Sequence, residues 1–385
     1  MSALGAFTFV LHSHLPYARL AGRWPHGEEW IHEAASETYI PLLQTLYDLI
    51  EDEVDFKVTI GITPILAEQL ADPLVLDHFD QYIDDKIAAA ISDMDYFRED
   101  TDDPDTTETV AEDQADDATA TQANLTDEEI TTDDIAGKPG IAKFTVAELQ
   151  EPQKTTSDPH LFYLAEWYKN WYEDIKKAFN ERFNRDIIGA FRKLQDDGYI
   201  EITTSAATHG YLPLLGTDNA INAQLKTGIA SYKRMFGTDP TGIWLPECAY
   251  RPAYVNPQGE ARPGIESFLA EHGLKVFFSE THTITGGQPV GVAAGDVIGP
   301  SGNIKRRYVL SAAAAPTQPK RDVTTYQAYY VANTIKGNDA INHSKVAVIG
   351  RNNRTGQQVW SADWGYPGDF DYREFHKKAG TSGLQ

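Results

Sequence analysis

The chain has 385 residues, 41% hydrophobic and 23% charged, which is enough for a sizeable buried core and argues against disorder along its whole length. Its net charge of −24, from 57 acidic and 33 basic residues, argues against nucleic acid and against an anionic membrane surface as partners. The single cysteine, Cys248, excludes an internal disulfide and a cysteine-based zinc site, and it suits a reducing, cytoplasmic compartment.

Met1–Leu11 has no basic start, and its apolar run meets His12, so neither a signal peptide nor a membrane-spanning run of about 18 apolar residues is expected. Within it, Ala6–Leu11 suits a buried strand. Tyr39, Leu42, Leu43, Leu46, Tyr47 and Ile50 then fall at helical spacing. Phe56–Ile62 reads as a strand closed by Pro64, with helical patterns after it to about residue 91. Residues 99–137 carry fifteen acidic side chains and no Lys or Arg, leaving −9 for the rest of the chain. Rich in Thr and Ala and poor in large apolar groups, this stretch cannot offset its ordering entropy, so a solvated, disordered insertion is expected over about 97–157.

A helical pattern over 161–197 stops at Gly198, and Tyr199–Thr204 reads as a strand. Asn219–Phe236 reads as a helix with Gly237 as its C-terminal cap. Ile243–Leu245 is a short strand, Pro263–His272 a helix ended by Gly273, and Leu274–Ser279 a strand. Residues 299–322, with the Ala312–Ala315 run, Pro316 and Pro319, read as a loop insertion. Val346–Ile349 and Gln358–Trp360 are further strand candidates. Strand–helix alternation predicts an α/β fold with a parallel sheet, and an open doubly wound sheet and a barrel both fit the pattern. No G-x-G-x-x-G follows the first strand, so a dinucleotide fold has no support.

The polar residues cluster after the predicted strands. His12 and His14 follow the first, Thr208 and His209 the Tyr199–Thr204 strand, Glu247 the Ile243–Leu245 strand, and Thr281 and His282 the Leu274–Ser279 strand. In parallel α/β folds sites are built at these carboxyl ends. Trp244, Tyr250 and Tyr254 flank Glu247, while Trp24, Trp360, Trp364 and Tyr366 lie near other strand ends or loops. Flat aromatic faces with carboxylates and imidazoles suit sugars, and glycosidic cleavage needs a pair of carboxyl groups. His12-Ser13-His14 reads either as a metal pair or as satisfied polar residues at a strand end, and the second reading is the commoner. Trp244 and Tyr250 read either as sugar platforms or as core packing. Cys248 reads as a small packing residue.

HSHLPY at 12–17, GITPILAEQLADP at 61–73, EITTSAATHGYLPLL at 201–215, GIWLPECAYRP at 242–252 and QVWSADWGYPGDFDYREFHKK at 358–378 together resemble glycoside hydrolase family 57. Within that family they are most similar to the 1,4-α-glucan branching enzymes. The resemblance implies an incomplete (β/α)7-type barrel spanning 1–385, with the C-terminal part and a helical domain missing from a truncated chain. It implies a retaining double displacement with Glu247 as nucleophile. It places His12, His14, Trp24, His209, Trp244 and Trp360 around the donor sugar, with no metal or organic cofactor. The expected partner is an α-1,4-glucan such as amylose, glycogen or a maltooligosaccharide.

The family's general acid/base aspartate lies in a later motif without a match here, and Asp363 and Asp369 belong to a different motif. The resemblance also implies a tyrosine in a mobile loop beside the site, as branching enzymes carry, at the position where this sequence has Ala293, within Gly291–Gly295. Three alternatives follow. One is a catalytically impaired glucan-binding homologue. Another is an α-amylase or 4-α-glucanotransferase-like member of the family. The third is a metal-dependent hydrolase or deacetylase using His12, His14 and His209.

Overall fold

The computed structural model describes residues 9–22, 27–98, 159–286, 292–295, 307–310, 322–332, 343–352, 355–356 and 359. Strand β1 (Val10–Ser13) is followed by α1 (Glu29–Ala34), which runs through a widened turn at Ala35–Tyr39 into α2 (Ile40–Glu51). Next come β2 (Val58–Ile62), α3 (Pro64–Leu70), α4 (Pro73–Phe97), α5 (Pro159–Lys177) and α6 (Ile187–Asp196). Then follow β3 (Ile200–Thr203), α7 (Asp218–Phe236), β4 (Gly242–Ile243), the short pair β5 (Tyr254–Val255) and β6 (Ala261–Arg262), and α8 (Ile265–Glu271). The described elements end with β7 (Val276–Ser279), α9 (Thr281–Thr285), β8 (Val292–Gly295), β9 (Arg307–Leu310), β10 (Ala328–Ala332) and β11 (His343–Gly350).

Local chemistry sets the helix ends. Proline opens α3 and α4, where its missing N–H costs nothing. The Asp72 carboxylate caps α4, accepting from the Leu74 and Val75 N–H groups at 2.9 and 3.3 Å. Thr217 caps α7 through Ala220 N–H at 3.2 Å. Gly237, at φ 78°, ends α7 in the left-handed region, where a side chain would be strained.

Strands β1, β2 and β3 pair in parallel in that order, with His12 opposite Gly61 and Gly61 opposite Thr203. A second parallel set runs β4–β7–β11, and β10 pairs antiparallel on the outer side of β11. A parallel bridge between Thr204 and Ile243 joins the two sets. The Thr204 N–H donates to Gly242 O at 3.1 Å, and the Trp244 N–H to Thr204 O at 2.9 Å. The parallel strands therefore advance β1-β2-β3-β4-β7-β11 in chain order. A doubly wound sheet reverses its order at a switch point. None occurs among the described strands, so that alternative is set aside, and all six of their carboxyl ends share one rim.

Two apolar clusters lie behind this sheet. The first packs α1–α6 on β1–β3, with Ile31, Leu43, Ile60, Phe79, Phe179 and Phe191 fully buried. The second packs α8 on β4, β7 and β11, with Ile243, Ile265, Leu269 and Phe277 buried. Helix α7 serves both: Ile221 and Leu225 enter the second, Tyr232 and Phe236 the first. Between them Gly228 lets α7 close on the end of β3, since a Cβ there would stand 2.5 Å from Ser205 O.

Several expectations are corrected. His12 lies inside β1, because the strand runs on to Ser13 in register with β2. Strand β4 stops at Ile243, because Pro246 opens a turn three residues on. The expected loop at 299–322 contains β9, which pairs antiparallel with β8. Ala293 therefore sits opposite Val309 in a ladder, where a loop was expected. The β5–β6 hairpin and β10 were not anticipated. The acidic stretch expected over about 97–157 lies outside the described residues except at its start, where α4 continues through Phe97. Gln358 and Trp360 also lie outside them, and Val359 between is helical.

Candidate active site

The rim of the sheet carries the predicted polar residues. His12 and His14 alternate along the end of β1 and so share a face. Beyond β3 the chain turns at Ala206–His209, where His209 adopts φ 56° and donates its N–H to Ala206 O at 3.0 Å. Helix α7 clamps this turn: the Thr208 N–H donates to Gln224 Oε1 at 3.0 Å, and Gln224 Nε2 donates to Thr208 Oγ1 at 2.9 Å. Beyond β4, Trp244-Leu245-Pro246 leads into a tight turn carrying Glu247 at φ 57° and Cys248 at φ 53°. It is closed by Cys248 N–H to Leu245 O at 2.8 Å and Ala249 N–H to Pro246 O at 3.1 Å. Left-handed backbone at a non-glycine residue costs of order 1–3 kcal/mol and gathers at functional positions. Here it occurs at two adjacent residues, and Glu247 is left exposed while Cys248 is buried.

Four rings form one column. Trp244 lies on His12 with centroids 4.5 Å apart and planes 13° apart. His12 stacks on His209 at 5.1 Å and His209 on His14 at 3.9 Å, each at 25°. Trp244 also meets Phe278 at 5.8 Å. Near-parallel imidazoles do not converge their in-plane nitrogens on one point. Among the described residues, no group of three or more His, Cys, Asp or Glu side chains is placed to hold a metal ion.

Burial keeps these histidines neutral. It lowers His12 to about 3, with the like charges of His209 and His14 adding to the effect. His209 falls to about 4 through burial and then His14. His14 is lowered by burial, against which the Glu247 carboxylate pulls the other way. Glu247 thus acts on the same ring column. A neutral imidazole offers one donor and one acceptor, which suits hydroxyl groups.

The surrounding polar groups hold the rings. Thr63 Oγ1 lies 3.2 Å from His14 Nδ1. Ser205 Oγ donates to Trp244 O at 2.8 Å and lies 2.9 Å from His209 Nδ1. His12 Nδ1 and Thr203 Oγ1 are buried without a partner, and each stands 3.2 Å from the point a Cβ would occupy on Gly61.

The turn behind Glu247 is braced from β7. Ser279 Oγ donates to Cys248 O at 3.3 Å. Burial pushes the Cys248 thiol up to about 11, which suits packing and leaves little thiolate. Tyr250 stacks on Phe277 at 5.4 Å and donates its hydroxyl to Glu266 Oε2 at 2.7 Å. Burial raises the Glu266 carboxyl above the ordinary carboxylate value.

His12, His14, His209, Trp244 and Glu247 are therefore brought together. Tyr250 is committed to the core behind the turn. Tyr254 lies on β5 with the Arg251 guanidinium 4.8 Å from its ring centre, and His282 is exposed on α9 outside the column. Trp24, Trp360, Trp364 and Tyr366 lie outside the described residues. Sequence reasoning missed Ser205, Thr63, Thr203 and Gly61.

Residues 8–381 match the family model described as glycosyl hydrolase family 57. The chain belongs to glycosyl hydrolase family 57. This family-57 chain is 40% identical over 385 residues to a protein named 1,4-alpha-glucan branching enzyme from Thermococcus kodakarensis, covering 99% of this chain and 43% of that protein. It is similar to the crystal structure of a branching enzyme of family 57 from the same organism, in complex with glucose, at 38% identity and a TM-score of 0.65, covering 99% of this chain and 53% of that one. It is also similar to the family-57 branching enzyme structure from Pyrococcus horikoshii, at 35% identity and a TM-score of 0.64, with the same coverage. The chain thus spans about half the length of these relatives. No helix among the described residues is long and apolar enough to cross a membrane.

Proposed function

We propose that this chain carries the donor side of a 1,4-α-glucan branching enzyme on an incomplete (β/α)7 barrel. The observation that carries the reading is Glu247, exposed on a left-handed turn and electrostatically linked to His14 in a column of three neutral imidazoles and Trp244. An exposed carboxylate held on a strained turn suits attack on a carbon centre. The ring column suits the faces and hydroxyls of a glucose unit. The named activities of the relatives favour α-1,4-glucan as donor.

In this reading a Glu247 carboxylate oxygen attacks the anomeric carbon of the donor glucose as the bond from that carbon to the 4-oxygen of the next unit breaks. The departing oxygen takes a proton from a general acid. The 6-hydroxyl of an acceptor chain then attacks the same carbon, its proton returns to the conjugate base, and Glu247 leaves as carboxylate. Net retention gives an α-1,6 branch. The general acid belongs to a later motif of the family, and none of the residues described above is proposed for it. His12, His14, His209 and Trp244, with Trp24 and Trp360, are proposed to bind the donor sugar.

An activated donor tests the first step alone. Fluoride leaves α-maltosyl fluoride without needing a strong acid, so the chain is expected to accumulate a glycosyl ester on Glu247, seen as a mass increase on its peptide. Glu247→Gln is expected to show none. An unmodified wild-type peptide, or an adduct on another residue, would overturn the assignment. Branching itself is read on amylose as loss of iodine stain without matching new reducing ends.

A further inference from the structure

Ser205 is buried at the seam between β3 and β4 and bonds two parts of the ring column at once. Its Oγ stands 2.8 Å from Trp244 O and 2.9 Å from His209 Nδ1. A carbonyl oxygen only accepts, so the single hydroxyl proton of Ser205 points to Trp244 O. Oγ then faces His209 with a lone pair, and the Nδ1 atom must supply the proton of that bond. Such a hydrogen bond on one ring nitrogen decides the state of the other.

We propose that Ser205 is a positioning residue that fixes neutral His209 as its Nδ1–H tautomer, so that Nε2 accepts a hydrogen bond from a hydroxyl group of the bound glucan. The glucan half of this inference rests on the function proposed above, and the tautomer half does not. Free imidazole side chains favour the Nε2–H form, so the arrangement inverts the default and makes His209 an acceptor toward its ligand. The other two histidines lack this definition. His14 Nδ1 meets only the rotatable hydroxyl of Thr63, and His12 Nδ1 has no partner. Ser205 is itself held firmly: Gly228 brings α7 against its carbonyl oxygen, and Ala207 N–H is bonded to Gln224 O at 3.0 Å. Near neutral pH His209 carries no charge, since burial and His14 lower it to about 4.

The tautomer is read directly from two-bond proton–nitrogen correlations of the chain labelled with ¹⁵N-histidine at pH 7, with His209→Gln assigning the signals. The wild-type chain is expected to show His209 Nδ1 as the protonated, pyrrole-type nitrogen and Nε2 as the bare, pyridine-type one. Ser205→Ala is expected to shift His209 toward the Nε2–H form, and Ser205→Thr to keep the wild-type pattern. An Nε2–H form in the wild-type chain would overturn the proposal without any variant. So would an unchanged pattern in a folded Ser205→Ala chain.

Maltoheptaose titration at pH 7 reads the second half. Ser205→Ala is expected to bind about fivefold more weakly, the effect of about one net hydrogen bond, with Ser205→Thr restored. Equal binding by all three would overturn the acceptor role. A tautomer switch in a chain that binds no maltoheptaose would uphold the tautomer and overturn the glucan reading.

Discussion

The two apolar clusters differ in what they support. Around β1–β3 the first is built from long helices and large side chains, among them Phe79 and Phe179 in edge-to-face contact at 4.9 Å. Around β4, β7 and β11 the second is smaller. It holds the buried Glu266 beside Tyr250 and backs a two-residue strand that runs into two consecutive left-handed residues. The ring column stands on the seam: His12, His14 and His209 come from the β1–β3 side, Trp244 and Glu247 from the other. Left-handed non-glycine residues lie on both sides of this seam, His209 on the first and Glu247 and Cys248 on the second, at a cost of about 1–3 kcal/mol each that the packing of the whole sheet offsets. A larger and a smaller apolar cluster meet where the proposed chemistry lies, with a strained turn on each side.

The largest expected effect lies in the larger cluster. Phe179 is fully buried against Phe79, so Phe179→Ala removes a ring and leaves a cavity. A loss of about 3–5 kcal/mol is expected, read as a fall in the urea midpoint. A loss below about 1 kcal/mol would remove this region as the source of stability. Next comes the seam itself. Gly228→Ala drives a Cβ to within 2.5 Å of Ser205 O, a backbone atom with little room to move. Overpacking of this kind costs about 1–3 kcal/mol. The same shift displaces Ser205 from His209 and Trp244, so sugar binding is expected to fall along with stability. A variant as stable as wild type would show that α7 and β3 do not press on each other.

The column gives a pH dependence with a definite sign. His12 and His209 titrate at about 3 and about 4 in the folded chain, against an ordinary 6.5. Because these values are depressed, the unfolded chain takes up the protons first. The stability linked to neutral rings is whole above pH 6.5 and is lost as pH falls from there toward 4. Partial exposure of His209 and coupling between the rings reduce the slope to about 1–2 kcal/mol per pH unit for the pair. Urea midpoints at pH 7, 6 and 5 should follow that slope, and His12→Gln should flatten it by about half. A wild-type midpoint constant from pH 7 to 5 would contradict neutral, buried rings.

Much of this arrangement is legible in the sequence where chemistry is local. Helices stop at Gly198, Gly237 and Gly273, each at positive φ, because only glycine takes that conformation without strain. Strand–helix alternation sets the parallel sheet, and the residues after the strands set His14, His209 and Glu247 on one rim. The chain order of the strands, which removes the doubly wound alternative, exists only in three dimensions. Two-residue strands such as Tyr254–Val255 are too short to carry a period, although Asn256–Gly259 between β5 and β6 has turn composition. Ala328–Ala332 fits helix and strand alike until β11 supplies its partner. Ser205 is silent in sequence, since its two partners are His209 and the carbonyl of Trp244, 39 residues on.

The smallest expected effect contrasts two glycines at close approaches, Gly228 on α7 and Gly61 on β2. A Cβ on Gly228 meets backbone, whereas a Cβ on Gly61 meets His12 Nδ1 and Thr203 Oγ1 at 3.2 Å and Leu11 O at 3.4 Å. Side chains yield by a few tenths of an ångström where backbone does not. The two side-chain atoms are also already without partners, so Gly61→Ala breaks no hydrogen bond they make. A stability change below about 1 kcal/mol is expected, because only a small overpacking cost remains. The ring column is expected to respond more than the fold. The added methyl sets another apolar group against His12 Nδ1 and further disfavours the charged ring, so His12 should titrate lower still while the urea midpoint barely moves. If Gly61→Ala costs as much as Gly228→Ala, the notch over Gly61 is as tightly packed as the α7 contact, and the division between a rigid seam and an adjustable ring column fails.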